Sequence, residues 1–244
     1  MKKKECGWQT KMGKHKGRDA GISLLCFFLF FSLRSQHYSG DGVLISRMTE
    51  GGKWLVQNEL FAQFLLQVVY QLASPFHFSA MEIMNGVSCM GGAIAVWILL
   101  NFSHLYRLPA IWSLLLYFSS GFLLYSCGHT EYYPILLPAL FLYGYCGILY
   151  LRNDLGIAWV AFLFILACGL HFGMLIALPS LWILPLLANR KRDWGSISIW
   201  LILLVPLFLI RNFPQLLGHK AAWLSPAWNF LPWFAHNDMY RYYA

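Results

Sequence analysis

Residues 80–102, AMEIMNGVSCMGGAIAVWILLNF, are the longest apolar run of the chain and decide its fold class. Their one charged side chain is Glu82, close to the start of the run. About 20 apolar residues are needed to cross the roughly 30 Å of hydrocarbon in a bilayer. The run therefore predicts a helix that crosses a membrane.

Six shorter apolar runs accompany it. They lie at 20–33, 110–126, 133–150, 156–170, 172–188 and 196–210. Apolar residues make up 59% of the chain and charged residues only 11%, whereas soluble domains carry about 25% charged residues. Disorder is excluded as well, because disordered chains have low hydrophobicity. We predict an all-α fold, a polytopic transmembrane helix bundle of about seven spans.

The basic residues are concentrated at the amino terminus. The chain has 18 Lys and Arg residues and a net charge of +8, and residues 1–18 hold seven of the 18. Such a tail beside an apolar segment is typical of a cytoplasmic anchor that is attracted to anionic lipid. No basic stripe interleaved with aromatic residues occurs elsewhere, so nucleic acid is not expected as a partner. The run 20–33 lacks a following cleavage site and is predicted to be a retained signal anchor.

The cysteines do not predict a metal site. The six are far apart, mostly inside apolar runs, and show no Cys-x-x-Cys or other metal-ligand spacing. We interpret them as small hydrophobic residues.

The short loops predict the orientation of the bundle. Loops 103–109, 151–155 and 189–194 together hold five Lys and Arg residues, whereas the alternate connections at 126–132 and around His171 hold none. Short cytoplasmic loops collect Lys and Arg. We therefore predict a plasma (inner) membrane protein with a cytoplasmic amino terminus and an external carboxyl terminus. Its parts are a basic tail (1–19), a bundle with a large outer loop at 34–79 (20–212), and an outer interfacial tail (213–244).

Segment 54–73 is long enough to cross a membrane but carries a polar stripe. The stripe repeats every four residues and comprises Glu59, Gln63, Gln67 and Gln71. This spacing places the four on one helix face, which fits a helix at the interface or one packed over other helices. A crossing here would turn the positive loops outward. We therefore predict an in-plane amphipathic helix in the first outer loop.

Two acidic residues on the predicted outer side are candidate catalytic groups. Asp41 lies between Gly40 and Gly42, just after the first span, where it fits a general base or an ordinary Gly-Asp-Gly turn. Glu131 lies two residues after His129 in a very short connection between spans. A carboxylate there can bind an acceptor hydroxyl or a metal, and an imidazole can contact a phosphate. The alternative is interfacial capping beside a belt of tyrosines.

Further residues on this side are candidates for substrate binding. With His129, the set comprises His171, Arg211, Lys220 and Glu50. His171 interrupts an apolar stretch, although a buried and hydrogen-bonded histidine would fit as well. Arg211 and Lys220 follow the last span and could attract a phosphate or extend to lipid head groups.

The layout resembles the GT-C superfamily of glycosyltransferases, which includes the dolichyl-phosphate-mannose-dependent mannosyltransferases. What matches is a first span that leaves the cytoplasm, an early acid in a large outer loop (Asp41), an in-plane helix (54–73) and hairpins with short loops. Residues 128–134, GHTEYYP, and His171 ahead of residues 178–181, LPSL, are similar to segments of uncharacterised bacterial and archaeal members. The resemblance covers about 20–230, and the chain is expected to be a short or fragmentary member.

The resemblance implies a membrane enzyme that moves a sugar from a polyprenyl-phosphate donor to an acceptor on the non-cytoplasmic face. Asp41 would remove the acceptor proton, and Glu131 would orient the acceptor or help to hold a divalent metal. The resemblance does not identify the acceptor or fix a cofactor. A transporter component and a noncatalytic membrane subunit remain alternatives. Polar groups that cluster on one side, rather than inside spans, favour a surface-facing site over a conduit.

Overall fold

The computed structural model describes residues 8–35, 42–51, 59–190, 193–202 and 204–206, and these are helical with no strand among them. The α-helices in chain order are α1 (Trp8–Ser32), α2 (Gly42–Glu50), α3 (Leu60–Ala73), α4 (Ala80–Tyr106), α5 (Ala110–Ser119), α6 (Phe122–Ser126), α7 (Tyr133–Leu151), α8 (Ile157–Leu170), α9 (Leu178–Leu187) and α10 (Asp193–Ile202). Short 3-10 helices lie at Ser74–Phe76 and Phe172–Ala177. The predicted all-α class is confirmed for these residues.

The predicted number of spans is not confirmed. Among the described helices, α4 with 27 residues and α7 with 19 are long and apolar enough to cross a membrane. The predicted run 110–126 is divided into α5 and α6 because Ser120 has an extended backbone and its hydroxyl donates to the Tyr117 carbonyl, 2.7 Å away. The run 172–188 is a 3-10 helix followed by α9. The arrangement of seven spans stays a prediction.

Helix α4 is the centre of the fold. It begins with a capping box: the Glu82 backbone N–H donates to the Ser79 hydroxyl, and the Ser79 N–H donates to the Glu82 carboxylate. It packs against six other helices, α1, α2, α3, α5, α6 and α7. Tyr117 of α5 and Phe30 of α1 are fully buried against its middle. A second apolar cluster joins α7, α8, α9 and α10 around Tyr150 and Phe164.

Helix α3 turns the middle of its polar stripe toward the protein, whereas Gln71 near its end is exposed. Gln63 is 2% exposed and Gln67 is buried, whereas Phe64 is largely exposed and Leu72 is 72% exposed. The helix packs on α2, α4 and α8. The buried face therefore combines two glutamines with Ala62 and Leu66, whereas an amphipathic helix on a soluble protein buries an apolar face. Of the two interpretations of the stripe, packing over other helices is what the structure shows; an in-plane position in a membrane stays a prediction.

One end of the bundle, which we call the charged end, brings together the loops that are rich in basic residues. The carboxylate of Asp19 on α1 lies 2.6 Å from Nε2 of His104 at the end of α4, and the Asp19 side chain is 3% exposed. The Arg152 guanidinium donates to the Leu105 carbonyl over 3.1 Å. The Tyr150 hydroxyl donates to the Asp193 carboxylate over 2.7 Å. Helix α1 itself begins at Trp8, so it extends into the predicted basic tail.

Candidate functional site

The opposite end of the bundle is built around the connection between α6 and α7. Helix α4 holds this connection through Ser88, whose buried hydroxyl accepts from the His129 backbone N–H over 3.1 Å and donates to the Tyr125 carbonyl. Gly128 has a φ of +77°, a conformation that glycine adopts without strain. The turn can therefore close tightly and present His129 at the end of the bundle.

The end of α1 is bound to the same turn. The Ser35 backbone N–H donates to the Cys127 carbonyl over 2.9 Å, and the buried Asn85 amide donates to the Ser35 carbonyl over 3.1 Å. Arg34, which precedes Ser35, lies with its β-carbon against Gly128. Its guanidinium stacks on the Phe31 ring at 4.0 Å. These contacts place Arg34 next to the connection that carries His129, while its guanidinium folds back and donates to the Phe31 carbonyl over 2.8 Å.

His129 and Glu131 form the first acid and imidazole pair of this end. Nε2 of His129 lies 3.2 Å from the Glu131 carboxylate, and the two side chains are 24% and 19% exposed. Such partial burial strengthens the interaction relative to a pair in open solvent, while both groups stay accessible to a ligand.

His171 and Glu59 form a second pair. His171 ends α8 with an extended backbone, and its Nδ1 accepts from the Gly173 N–H over 3.1 Å. The proton of a neutral ring is therefore on Nε2, which faces the Glu59 carboxylate 3.4 Å away. This pair has similar exposure, 22% for His171 and 19% for Glu59. His171 thus orients the carboxylate that precedes α3.

A continuous row of rings joins the two pairs. The rings of His129 and Tyr125 meet edge to face at 5.0 Å. Tyr125 and Tyr133 follow at 5.9 Å, and Tyr133 and His171 at 5.5 Å. Both tyrosines are partly exposed. The four rings, which we call the ring row, therefore form one surface with a carboxylate at each end.

The amino end of α2 packs against the connection that carries His129 and Glu131. Gly42 lies so close to Thr130 that a β-carbon added to Gly42 would be 2.1 Å from Oγ1 of Thr130, which is itself fully buried. Thr130 lies between His129 and Glu131 in the chain. The start of α2 therefore packs against the residue that separates His129 from Glu131.

Gly42→Ala is expected to destabilise the protein by about 1–3 kcal/mol, the usual cost of overpacking a filled site. The matched control is Gly21→Ala in α1, where an added β-carbon meets nothing within 4 Å. Chemical denaturation in detergent measures both variants. An equal stability of Gly42→Ala and the wild type would contradict the close contact between Gly42 and Thr130.

The structure brings together three of the predicted site residues, His129, Glu131 and His171. Glu50 lies at the same end, where its carboxylate accepts from the Ala80 N–H at the start of α4 over 3.3 Å. A role for Glu50 in substrate binding stays a prediction. The predicted residues Asp41, Arg211 and Lys220 lie outside the described residues.

Two residues of the site were not among the sequence-based candidates for it. Glu59 was predicted to lie on the outer side, as the first member of the polar stripe, but no role was assigned to it, and Arg34 was not considered for the site. The stripe was a usable signal, because the helix face that buries Gln63 and Gln67 also carries the acid that starts the stripe. Within the described ranges there is no group of three or more His, Cys, Asp or Glu side chains that could hold a metal ion.

The arrangement provides two oriented carboxylates, an aromatic surface between them and a nearby cation. Such groups can accept a proton from a hydroxyl, bind hydroxyl groups and contact an anion. No family model, no curated protein and no solved structure matches the chain.

Proposed function

We propose that the chain is a membrane glycosyltransferase that moves a sugar from a polyprenyl-phosphate donor to an acceptor hydroxyl at the end of the bundle that carries the ring row. The supporting observation is the convergence of the His129–Glu131 and His171–Glu59 pairs on one aromatic surface. The two histidines are far apart in the sequence, and each lies in a short break between apolar helices. The resemblance to the GT-C superfamily adds the reaction class.

Each part of the donor has a matching group in this proposal. The phosphate lies at head-group height, where Arg34 supplies positive charge, together with the predicted contacts Arg211 and Lys220. The partly exposed faces of Tyr125 and Tyr133 receive the sugar ring. The prenyl chain extends along the exposed apolar surface of the bundle.

The proposed reaction is a displacement at the anomeric carbon. Asp41 accepts the proton of the acceptor hydroxyl, the acceptor oxygen forms a bond to the anomeric carbon, and the bond from that carbon to the phosphate oxygen breaks. Polyprenyl phosphate leaves with both electrons of that bond, and cations near the phosphate stabilise its charge. Glu131, held by His129, orients the acceptor, and Glu50 is a further proposed contact for substrate.

The membrane part of the proposal is supported by the surface of the described residues. Large apolar side chains are exposed on several helices; examples are Leu25, Leu72, Leu116, Leu124, Ile176 and Ile199. Exposed apolar surface on this scale is typical of a face in contact with lipid or with another protein. The basic residues gathered at the charged end support a cytoplasmic position for that end.

Glu131→Gln is expected to lower the rate of sugar transfer about 10-fold to 100-fold, because a hydrogen bond to a charged group contributes roughly 1.5–3 kcal/mol. Purified protein in liposomes is supplied with a panel of radiolabelled polyprenyl-phosphate sugars, and labelled product is counted. Asp154→Asn is the matched control, since Asp154 is exposed at the charged end and pairs only with Arg152 among described residues. Absence of transfer from every donor by the wild type would contradict the proposed function.

The orientation is tested with one exposed arginine from each end, Arg47 on α2 and Arg107 after α4. In intact cells, a membrane-impermeant maleimide is expected to label Arg47→Cys above the wild-type background, and Arg107→Cys only after permeabilisation. The native Cys127 adds little signal, because burial raises the pKa of its thiol and thereby lowers its thiolate fraction. The reverse labelling pattern would overturn the proposed topology.

A further inference from the structure

A groove on the outside of the bundle lies away from the ring row, in the half nearer the charged end. It has a volume of about 480 Å³ and is lined by side chains of α1, α4 and α7, among them Lys16, Ala20, Trp97, Asn101, Leu142 and Tyr145. Asn101 lies one turn before His104, which marks the charged end. Lys16 lies 16 residues before the end of α1, so about 24 Å of helix separates it from the end that carries the ring row. The proposed transfer reaction does not use this groove.

The lining has the polarity of a lipid: apolar along its length, with a cation at one end. Trp97 is partly exposed, and the Tyr145 ring is held by an edge-to-face contact with Phe102 at 5.1 Å. The volume is within the range of ligand-binding pockets. A chain of methylene groups would contact a lining that is mostly apolar.

The charge of the groove favours an anion. Lys16 is exposed, and no carboxylate of a described residue pairs with it, because Asp19, one turn along α1, is engaged by His104 and Arg18. Seven basic residues fall within 1–18. Each Lys or Arg next to an anionic leaflet contributes about 1 kcal/mol of attraction.

We propose that this groove is a binding site for an anionic glycerophospholipid, with an acyl chain against Trp97 and Leu142 and the phosphate against Lys16. The inference goes beyond the proposed transfer reaction and requires only that the bundle is inserted in a bilayer. The site is distinct from the proposed donor site, because the lipid phosphate lies at the charged end.

Fluorescence quenching by brominated lipid tests the site, since bromine quenches only tryptophans that it touches. The full chain is placed in nanodiscs that contain a minor fraction of brominated phosphatidylglycerol or brominated phosphatidylcholine. The difference between wild type and Trp97→Phe isolates the signal of Trp97. Brominated phosphatidylglycerol is expected to quench this signal about fivefold more effectively than phosphatidylcholine, the factor given by one lysine near an anionic surface.

Two pairs of variants make the result specific. Lys16→Gln is expected to abolish the preference for phosphatidylglycerol, whereas Arg107→Gln, which removes an exposed charge from the same end, should keep it. Ala20→Phe is expected to fill the groove and reduce quenching by both lipids, and Ala158→Phe on the exposed side of α8 should not. Equal quenching by both lipids in the wild type, or an unchanged preference in Lys16→Gln, would overturn the proposal. Displacement of the brominated lipid by equimolar polyprenyl phosphate would also overturn it, because the occupant would then be the donor lipid.

Discussion

Asp41→Asn is expected to reduce the turnover number for sugar transfer by a factor of about 10² to 10⁴, the usual contribution of a general base. The substitution keeps the shape of the side chain but removes its capacity to accept a proton. Gly42, the next residue, lies against Thr130 between His129 and Glu131. The loss should therefore appear in kcat with little change in KM, because substrate binding does not depend on the missing proton acceptor.

The control for Asp41→Asn is its melting temperature in detergent, which should equal that of the wild type. Glu59→Gln serves as the comparison variant, because it removes the second carboxylate that is oriented at this end. If Asp41→Asn retained full activity and Glu59→Gln lost it, the base would be Glu59 and the role proposed for Asp41 would be wrong. If Asp41→Asn lost activity and melted at a lower temperature, its role would be structural.

His104→Ala is expected to lower the free energy of unfolding by about 3 kcal/mol. The Asp19 carboxylate is almost fully buried, and His104 at 2.6 Å is its close partner. Among the described residues, removal of His104 leaves that carboxylate with Arg18, which lies 3.4 Å away and is half exposed. Leaving a buried carboxylate without its hydrogen-bond donor costs about 3 kcal/mol, because the group stays out of water. Chemical denaturation in detergent measures the loss.

A second substitution separates two costs of His104→Ala: the cost of leaving the Asp19 carboxylate without its partner, and the loss of packing. Asp19→Asn on the His104→Ala background is expected to recover more than half of the lost stability, since it removes the buried charge. The double-mutant cycle then gives a coupling energy between the two residues. Additive effects of the two substitutions would contradict a direct interaction between Asp19 and His104.

The central helices could be predicted closely from the sequence, because their limits are marked by local chemistry. The run 80–102 is observed as Ala80–Tyr106, and its start is marked by Ser79 and Glu82 of the capping box. The run 133–150 is observed as Tyr133–Leu151, which has a proline at its start. The break within 110–126 was not predicted, because apolar composition alone does not reveal that the Ser120 hydroxyl bonds to its own helix.

The candidate site was predictable only in its local part. His129 and Glu131 are two residues apart in a short connection, so their proximity follows from the sequence. The Glu59–His171 pair depends on the packing of α3 against α8, and no periodicity within either helix specifies that contact. Arg34 reaches the site through hydrogen bonds of its neighbour Ser35 to α4 and to the α6–α7 connection. Such long-range contacts cannot be obtained from a single sequence.

The position of α4 has a consequence for biosynthesis. Asn85 and Ser88 lie inside an otherwise apolar helix, and their described partners come from the end of α1 and from the α6–α7 connection, which is translated after α4. When synthesis has just reached residue 106, the partner of Asn85 is therefore present, but the partners of Ser88 have not yet been made. On the proposed topology, we expect the translocation machinery to retain α4 until residue 129 has emerged, so that Asn85 and Ser88 enter the lipid together with their partners.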